Sequence, residues 1–245
     1  MDQSGRVLGR TAHSGAFALR IALLSCGILG LLLGAPLTAV SQESTMLTVD
    51  ETEELVRMRH YEGMPEEDLE RIASDGCARL IEMLADPEEA DAHGRVLLGL
   101  ARCADSGGYD AIMSWIDQPR AGELDRATFR AWQMVSFALA RLAEDDDRAI
   151  DRLAERLDAS ASPNWTFRHH RGARLLRQKR RAAADGLAET GDARAAAALQ
   201  RAGRRSSDAS FREHLEAARD RNAERAERRR ERRARRELGQ GGTQR

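Results

Sequence analysis

The chain holds 245 residues, 42% hydrophobic, 32% charged and only 4% aromatic, which excludes a chain disordered throughout and favours helix over strand. Of its three cysteines one lies in the first forty residues, and the remaining pair excludes a disulfide-dense scaffold. The formal net charge of −1 hides a division: residues 1–41 carry +2, residues 42–163 carry −15 and residues 164–245 carry +12, an asymmetry that points to an interaction surface or tail.

Arg6, Arg10 and Arg20 precede an uncharged apolar run over residues 21–33, and small residues follow up to Ala39 and Ser41. This is the layout of a secretory signal peptide over residues 1–41, cleaved before Gln42. The run is short of the ~20 residues that span a bilayer. The alternative is an inner-membrane anchor over residues 21–40. Either places the rest of the chain outside the cytoplasm, periplasmic or secreted. The arginine- and alanine-heavy composition points to a bacterial source.

Residues 42–64 read as an N-terminal helix, opened by the capping box Thr48 to Glu51 and closed at Gly63. Pro65 suits the first turn of the next helix. Beyond it, Leu69, Ile72 and Ala73, then Leu80, Ile81 and Leu84, recur at helical spacing, with Asp75-Gly76 as the break and Asp86-Pro87 as the stop. Val96, Leu97, Leu100 and Ala104 form the next face. Gly107-Gly108 interrupts, and Tyr109, Ile112, Met113 and Ile116 follow. Trp132, Val135, Leu139 and Leu142 precede the break at Asp145-Asp146-Asp147, and Ile150, Leu153 and Leu157 succeed it. No period-two run is long enough to predict a strand.

The junctions between these helices repeat. Ile72-Ala73, Leu100-Ala101, Leu139-Ala140 and Leu187-Ala188 each close one helix before another opens, at intervals of 28, 39 and 48 residues. The last junction, Leu187-Ala188-Glu189-Thr190-Gly191-Asp192-Ala193-Arg194, resembles the turn of the HEAT-like (armadillo-type) helical repeat. Its leucine and small residues pack a helix on its partner, Gly191 permits a tight turn and Asp192 caps the next helix. The resemblance spans about residues 65–205, and the other three junctions lack the Gly-Asp-x-Arg string. It implies an all-α fold, a short α-solenoid of antiparallel helix pairs with a concave binding face. It carries no catalytic residue. An irregular helical bundle is the alternative.

Cys77 and Cys103 lie equally far either side of a turn near Ala90. In an antiparallel helix pair such residues are neighbours, and in an oxidising compartment they can form a disulfide; the alternative is two buried core thiols. No catalytic, cofactor-binding or metal motif is present. His169-His170 point about 100° apart if helical, so they cannot form one ligand pair. Trp165, Phe167, Arg168 and His169 read either as a recognition patch or, for the two aromatics, as a hydrophobic cap on a helix that follows Pro163.

Residues 206–238 predict a long charged helix opened by the capping box Ser210 to Glu213 and anchored by Phe211 and Leu215. From Glu216 to Glu237 there is no large apolar side chain, so the helix is expected to project into solvent and fray, with disorder over residues 239–245. Arg228, Arg229, Arg230, Arg232, Arg233, Arg235 and Arg236 make it a polybasic arm for an anionic partner, or a solubilising tail. Behind an export signal the fitting partners are anionic lipid, surface polysaccharide, an acidic protein or the acidic half of this chain, rather than nucleic acid. The sequence as a whole predicts a non-enzymatic extracytoplasmic scaffold that binds another protein and needs no cofactor.

Overall fold

A computed structural model describes residues 46–60 and 64–241, without the side chains of residues 233 and 236–241. The leader and Gly63 therefore lie outside the described residues. The unit that contains the described residues runs over residues 43–245. It is mostly helical, with ten α-helices among the described residues and little strand.

Helix α1 (Val49–Arg57) begins at the capping box. The Glu51 amide donates to Thr48 Oγ1 at 3.3 Å, and the Thr48 amide donates to Glu51 Oε2 at 2.8 Å. The helix stops at Arg57 because Met58 turns extended, well short of the predicted end at Gly63. Arg95 then closes it, donating from Nε to the Val56 carbonyl at 2.5 Å. The single turn α2 (Glu66–Leu69) is followed by α3 (Ser74–Ala85). The predicted break at Asp75-Gly76 is thus displaced: both residues belong to the first turn of α3, and the chain breaks at residues 71–73. Gly76 is tolerated in that turn because α1 crosses it; a Cβ there would lie 2.8 Å from Thr52 Oγ1.

Next come α4 (His93–Leu100), α5 (Gly108–Asp117), α6 (Arg126–Leu142) and α7 (Arg148–Asp158). Asp125 caps α6, accepting from the Thr128 amide at 2.8 Å. Within the Asp145–Asp147 turn it is Asp146 whose carboxylate accepts from the Arg148 amide, at 2.9 Å. Helices α8 (Ala173–Thr190) and α9 (Ala193–Arg205) meet at Gly191, which is left-handed at φ +63°, and Asp192 accepts from the Arg194 amide at 2.7 Å. The tight turn and the cap read from the sequence are both present.

Two short strands go against the sequence expectation. β1 (Gly122–Glu123) pairs in parallel with β2 (Trp165–Thr166), Gly122 opposite Trp165. They are two residues each, too short to leave a period-two pattern. They hold the loop before α6 beside the loop before α8.

Helix α10 (Ala209–Gly241) departs most from expectation. Its cap is Asp208, which accepts from the Phe211 amide at 3.2 Å, so Ser210 lies inside the helix. It does not leave the body at Glu216. It packs along α8 and α9, burying Phe211, Leu215, Ala218 and Asn222. Asn222 Nδ2 donates to the Leu187 carbonyl at 2.8 Å and to Thr190 Oγ1 at 3.2 Å, satisfying the end of α8. Small side chains let the backbones approach: a Cβ on Gly191 would stand 2.9 Å from the Ala226 amide nitrogen. The helix continues past the predicted end at 238, and residues 242–245 lie outside the described residues.

The even-numbered long helices pack in succession, α4 on α6, α6 on α8 and α8 on α10, while α3 packs on α5 and α7 on α9. Leu97, Leu100, Leu139, Leu142, Leu153 and Leu175 are fully buried between them, each stabilising the fold by about 2 kcal/mol.

Candidate functional site

Cys77, in the first turn of α3, and Cys103, just past α4, form a disulfide with Cα atoms 5.8 Å apart. It ties two helices that also pack on one another.

The aromatic patch resolves into core and rim. Trp165 is buried on β2, edge-on to Trp132 at 4.9 Å, and Phe167 stacks on Phe129 at 4.0 Å. These two aromatics pack on Phe129 and Trp132 in the first turns of α6, Trp165 buried and Phe167 partly so. Arg168 and His169 remain exposed, in a turn rather than a helix.

The arginines of α10 also divide. Arg229 points back to the body and pairs with Glu144 at 2.8 Å. Arg228 pairs along the helix with Glu224 at 3.6 Å. Arg230, Arg232 and Arg235 have no ion pair among the described residues, and all three are exposed. The side chains of Arg233 and Arg236 lie outside the described set.

What the structure adds is a cleft of about 600 Å³ crossing the even-numbered helices. Its apolar floor is Leu98 of α4 and Met134, Phe137 and Ala140 of α6; Glu66, Arg102, Arg141, Glu144, Glu189 and Arg225 form its charged wall. Glu66 bridges Arg102 and Arg141, the latter at 2.6 Å. Glu144 takes Arg102 at 2.9 Å, Arg229 at 2.8 Å and Arg225 at 3.7 Å. Burial alone would push the Glu144 carboxyl up, but hydrogen bonds from Arg229 and Arg102 outweigh it and hold the group below the ordinary carboxylate range. Arg141 is pushed below its ordinary value by burial and then by the charge of Arg102. Arg102 Nε, Arg141 Nη1 and Arg225 Nε are buried donors without a partner.

A second cleft of about 630 Å³ adjoins the first at Phe137 and is lined along α8 by Arg174, Arg177, Gln178, Arg181 and Asp185, with His170 above. Phe137 separates the two and is 43% exposed. Among the described residues the only other large apolar side chains so exposed are Met46 and Met58, on either side of α1.

These residues left a signal in the sequence. Phe137 falls off the apolar stripe of its helix, two residues past Val135 and two before Leu139. Arg102, Arg141 and Glu189 follow the repeated Leu-Ala pair at Leu100, Leu139 and Leu187, and all three line the first cleft.

Among the described residues no group of three or more His, Cys, Asp or Glu could hold a metal ion, and no helix is long and apolar enough to cross a membrane. Comparison with protein-family models, with curated proteins and with solved structures returns no match.

Proposed function

We propose that the protein is a non-enzymatic extracytoplasmic scaffold, a short HEAT-like α-solenoid of antiparallel helix pairs that docks another protein on the face formed by α4, α6, α8 and α10. The observation that carries this reading is the coincidence of repeat and surface. Residues that directly follow the recurring Leu-Ala pair, Arg102, Arg141 and Glu189, line one cleft. Stacked helix pairs produce such a coincidence, because each repeat presents the same position to the same side. The succession of α4, α6, α8 and α10 supports it too. An exposed Phe137 on that face supports docking, since an aromatic side chain left in water beside arginines is the composition of an interface anchor.

The leader pattern of residues 1–41 and the Cys77–Cys103 disulfide both favour an oxidising compartment outside the cytoplasm. Thiol titration of the unreduced protein should find neither of these cysteines free.

The test of the docking face is affinity capture from envelope extract with three baits: the native chain, Phe137→Ala, and a chain ending at residue 229. Partners retained by the truncated bait and lost by Phe137→Ala support the face. Partners lost only by truncation move the binding site to the arm.

That second outcome is the alternative reading. Arg230, Arg232 and Arg235 lie beyond the last contact with Glu144 and have no ion pair among the described residues. They suit an anionic lipid or polysaccharide, and such binding weakens steeply with salt.

A further inference from the structure

Arg174, Arg177 and Arg181 share one face of α8, at i, i+3 and i+7, and line the second cleft. Like charges at this spacing oppose one another. Among the described residues none of the three makes an ion pair; Arg181 donates to Ser210 Oγ at 2.9 Å. The one acid in the lining, Asp185, is already answered from α10, by Arg221 at 2.5 Å and His214 at 3.3 Å. The same lining holds two buried polar atoms without a partner, Gln178 Oε1 and His170 Nδ1. At its edge stands the exposed ring of Phe137.

We propose that this cleft binds an extended acidic peptide segment, with carboxylates on Arg174, Arg177 and Arg181 and an apolar side chain on Phe137. The inference rests on the docking face proposed above and names the chemistry of its partner. The guanidinium fork matches a carboxylate in shape and charge. Four residues of helix advance about 6 Å, close to the ~6.6 Å between alternate side chains of an extended chain. Glutamates at alternate positions of the peptide therefore meet Arg177 and Arg181 in step. A polyphosphate would satisfy the arginines but offers no apolar group to Phe137, which is why a segment with apolar side chains is favoured.

The experiment uses fluorescein-labelled octapeptides in which Glu alternates with Phe, Leu or Ser, and the same set with Gln for Glu, titrated with the whole chain and read by anisotropy. The Glu/Phe and Glu/Leu peptides should bind, more weakly at high salt. Their Gln counterparts and the Glu/Ser peptide should bind about tenfold more weakly or worse, on the scale of one charged hydrogen bond or one apolar contact. Arg177→Gln combined with Arg181→Gln, and separately Phe137→Ala, should weaken the Glu/Phe peptide to a similar degree while leaving the thermal midpoint unchanged. Should the double variant unfold, the Glu-to-Gln comparison on the peptide still decides the matter with native protein. Equal binding of Glu and Gln peptides overturns the proposal. So does binding of polyphosphate through the arginines that is indifferent to Phe137→Ala. If no peptide binds while capture through Phe137 persists, the acidic ligand is wrong and the docking face stands. If both fail, the face itself is wrong.

Discussion

Glu144 gathers three arginines from two distant stretches of sequence, Arg102 on one side and Arg225 and Arg229 on the other. Its carboxyl is held below the ordinary range, so its contribution to stability is present above the unfolded value of 4.5 and is lost as the pH falls below it. We expect Glu144→Gln to cost about 1 kcal/mol at pH 7, since the site is partly open to solvent. The difference from the native chain should shrink as denaturation is repeated at pH 5, 4 and 3; a difference independent of pH would contradict it. Arg156 presents the opposite situation. It is 6% exposed, its guanidinium lies 5.8 Å from the Trp132 ring, and its Nε has no partner. Burial, helped by the charge of Arg152, pushes its pKa down to about 10. Asp117 acts on it only through space, with no direct ion pair among the described residues, and a buried cation so placed costs the fold, so Arg156→Met should raise stability by roughly 1–3 kcal/mol in urea denaturation. A loss of stability would assign the guanidinium a structural contact that its surroundings do not reveal.

The elements show what the sequence makes legible and what it conceals. Helix existence followed from apolar spacing, and ends followed where a residue acts locally: Thr48, Asp86-Pro87, Gly191 and Asp192 all do what their chemistry dictates. Tertiary contact decided the rest. Asp75-Gly76 reads as a breaker, but Gly76 is where α1 needs room. Helix α10 reads as a solvated arm because no large apolar residue lies between Leu215 and Leu238. It docks nonetheless, because Ala218, Asn222 and Ala226 are small or neatly satisfied and the partner surface at Gly191 is recessed. Alanine faces of this kind carry little hydropathy signal yet bury backbone against backbone. Gly191→Ala tests the point: at φ +63° and with a Cβ 2.9 Å from Ala226 N, it should cost about 1–3 kcal/mol. Hydrogen exchange should locate the loss in α10 around residues 218–230 and leave α4 and α6 unaffected; uniform loss would contradict independent docking of that helix.

At the scale of the molecule, the −15 and +12 halves are joined through the α10 arginines that reach Glu144, so part of the charge division is settled internally. Part of what is not settled internally lies on one face, at Phe137 and the arginines of α8. The sequence held this site only as a phase error in one helix and as a residue following a repeated Leu-Ala pair. Without three-dimensional stacking neither announces a surface. The direct measurement is site-specific photocrosslinking in envelope extract, with p-benzoylphenylalanine placed at position 137 or, on the exposed side of α9, at position 197. The account predicts discrete crosslinked products from position 137 and none from position 197. Products of equal yield from both positions, or from 197 alone, would contradict a docking face on α4, α6, α8 and α10.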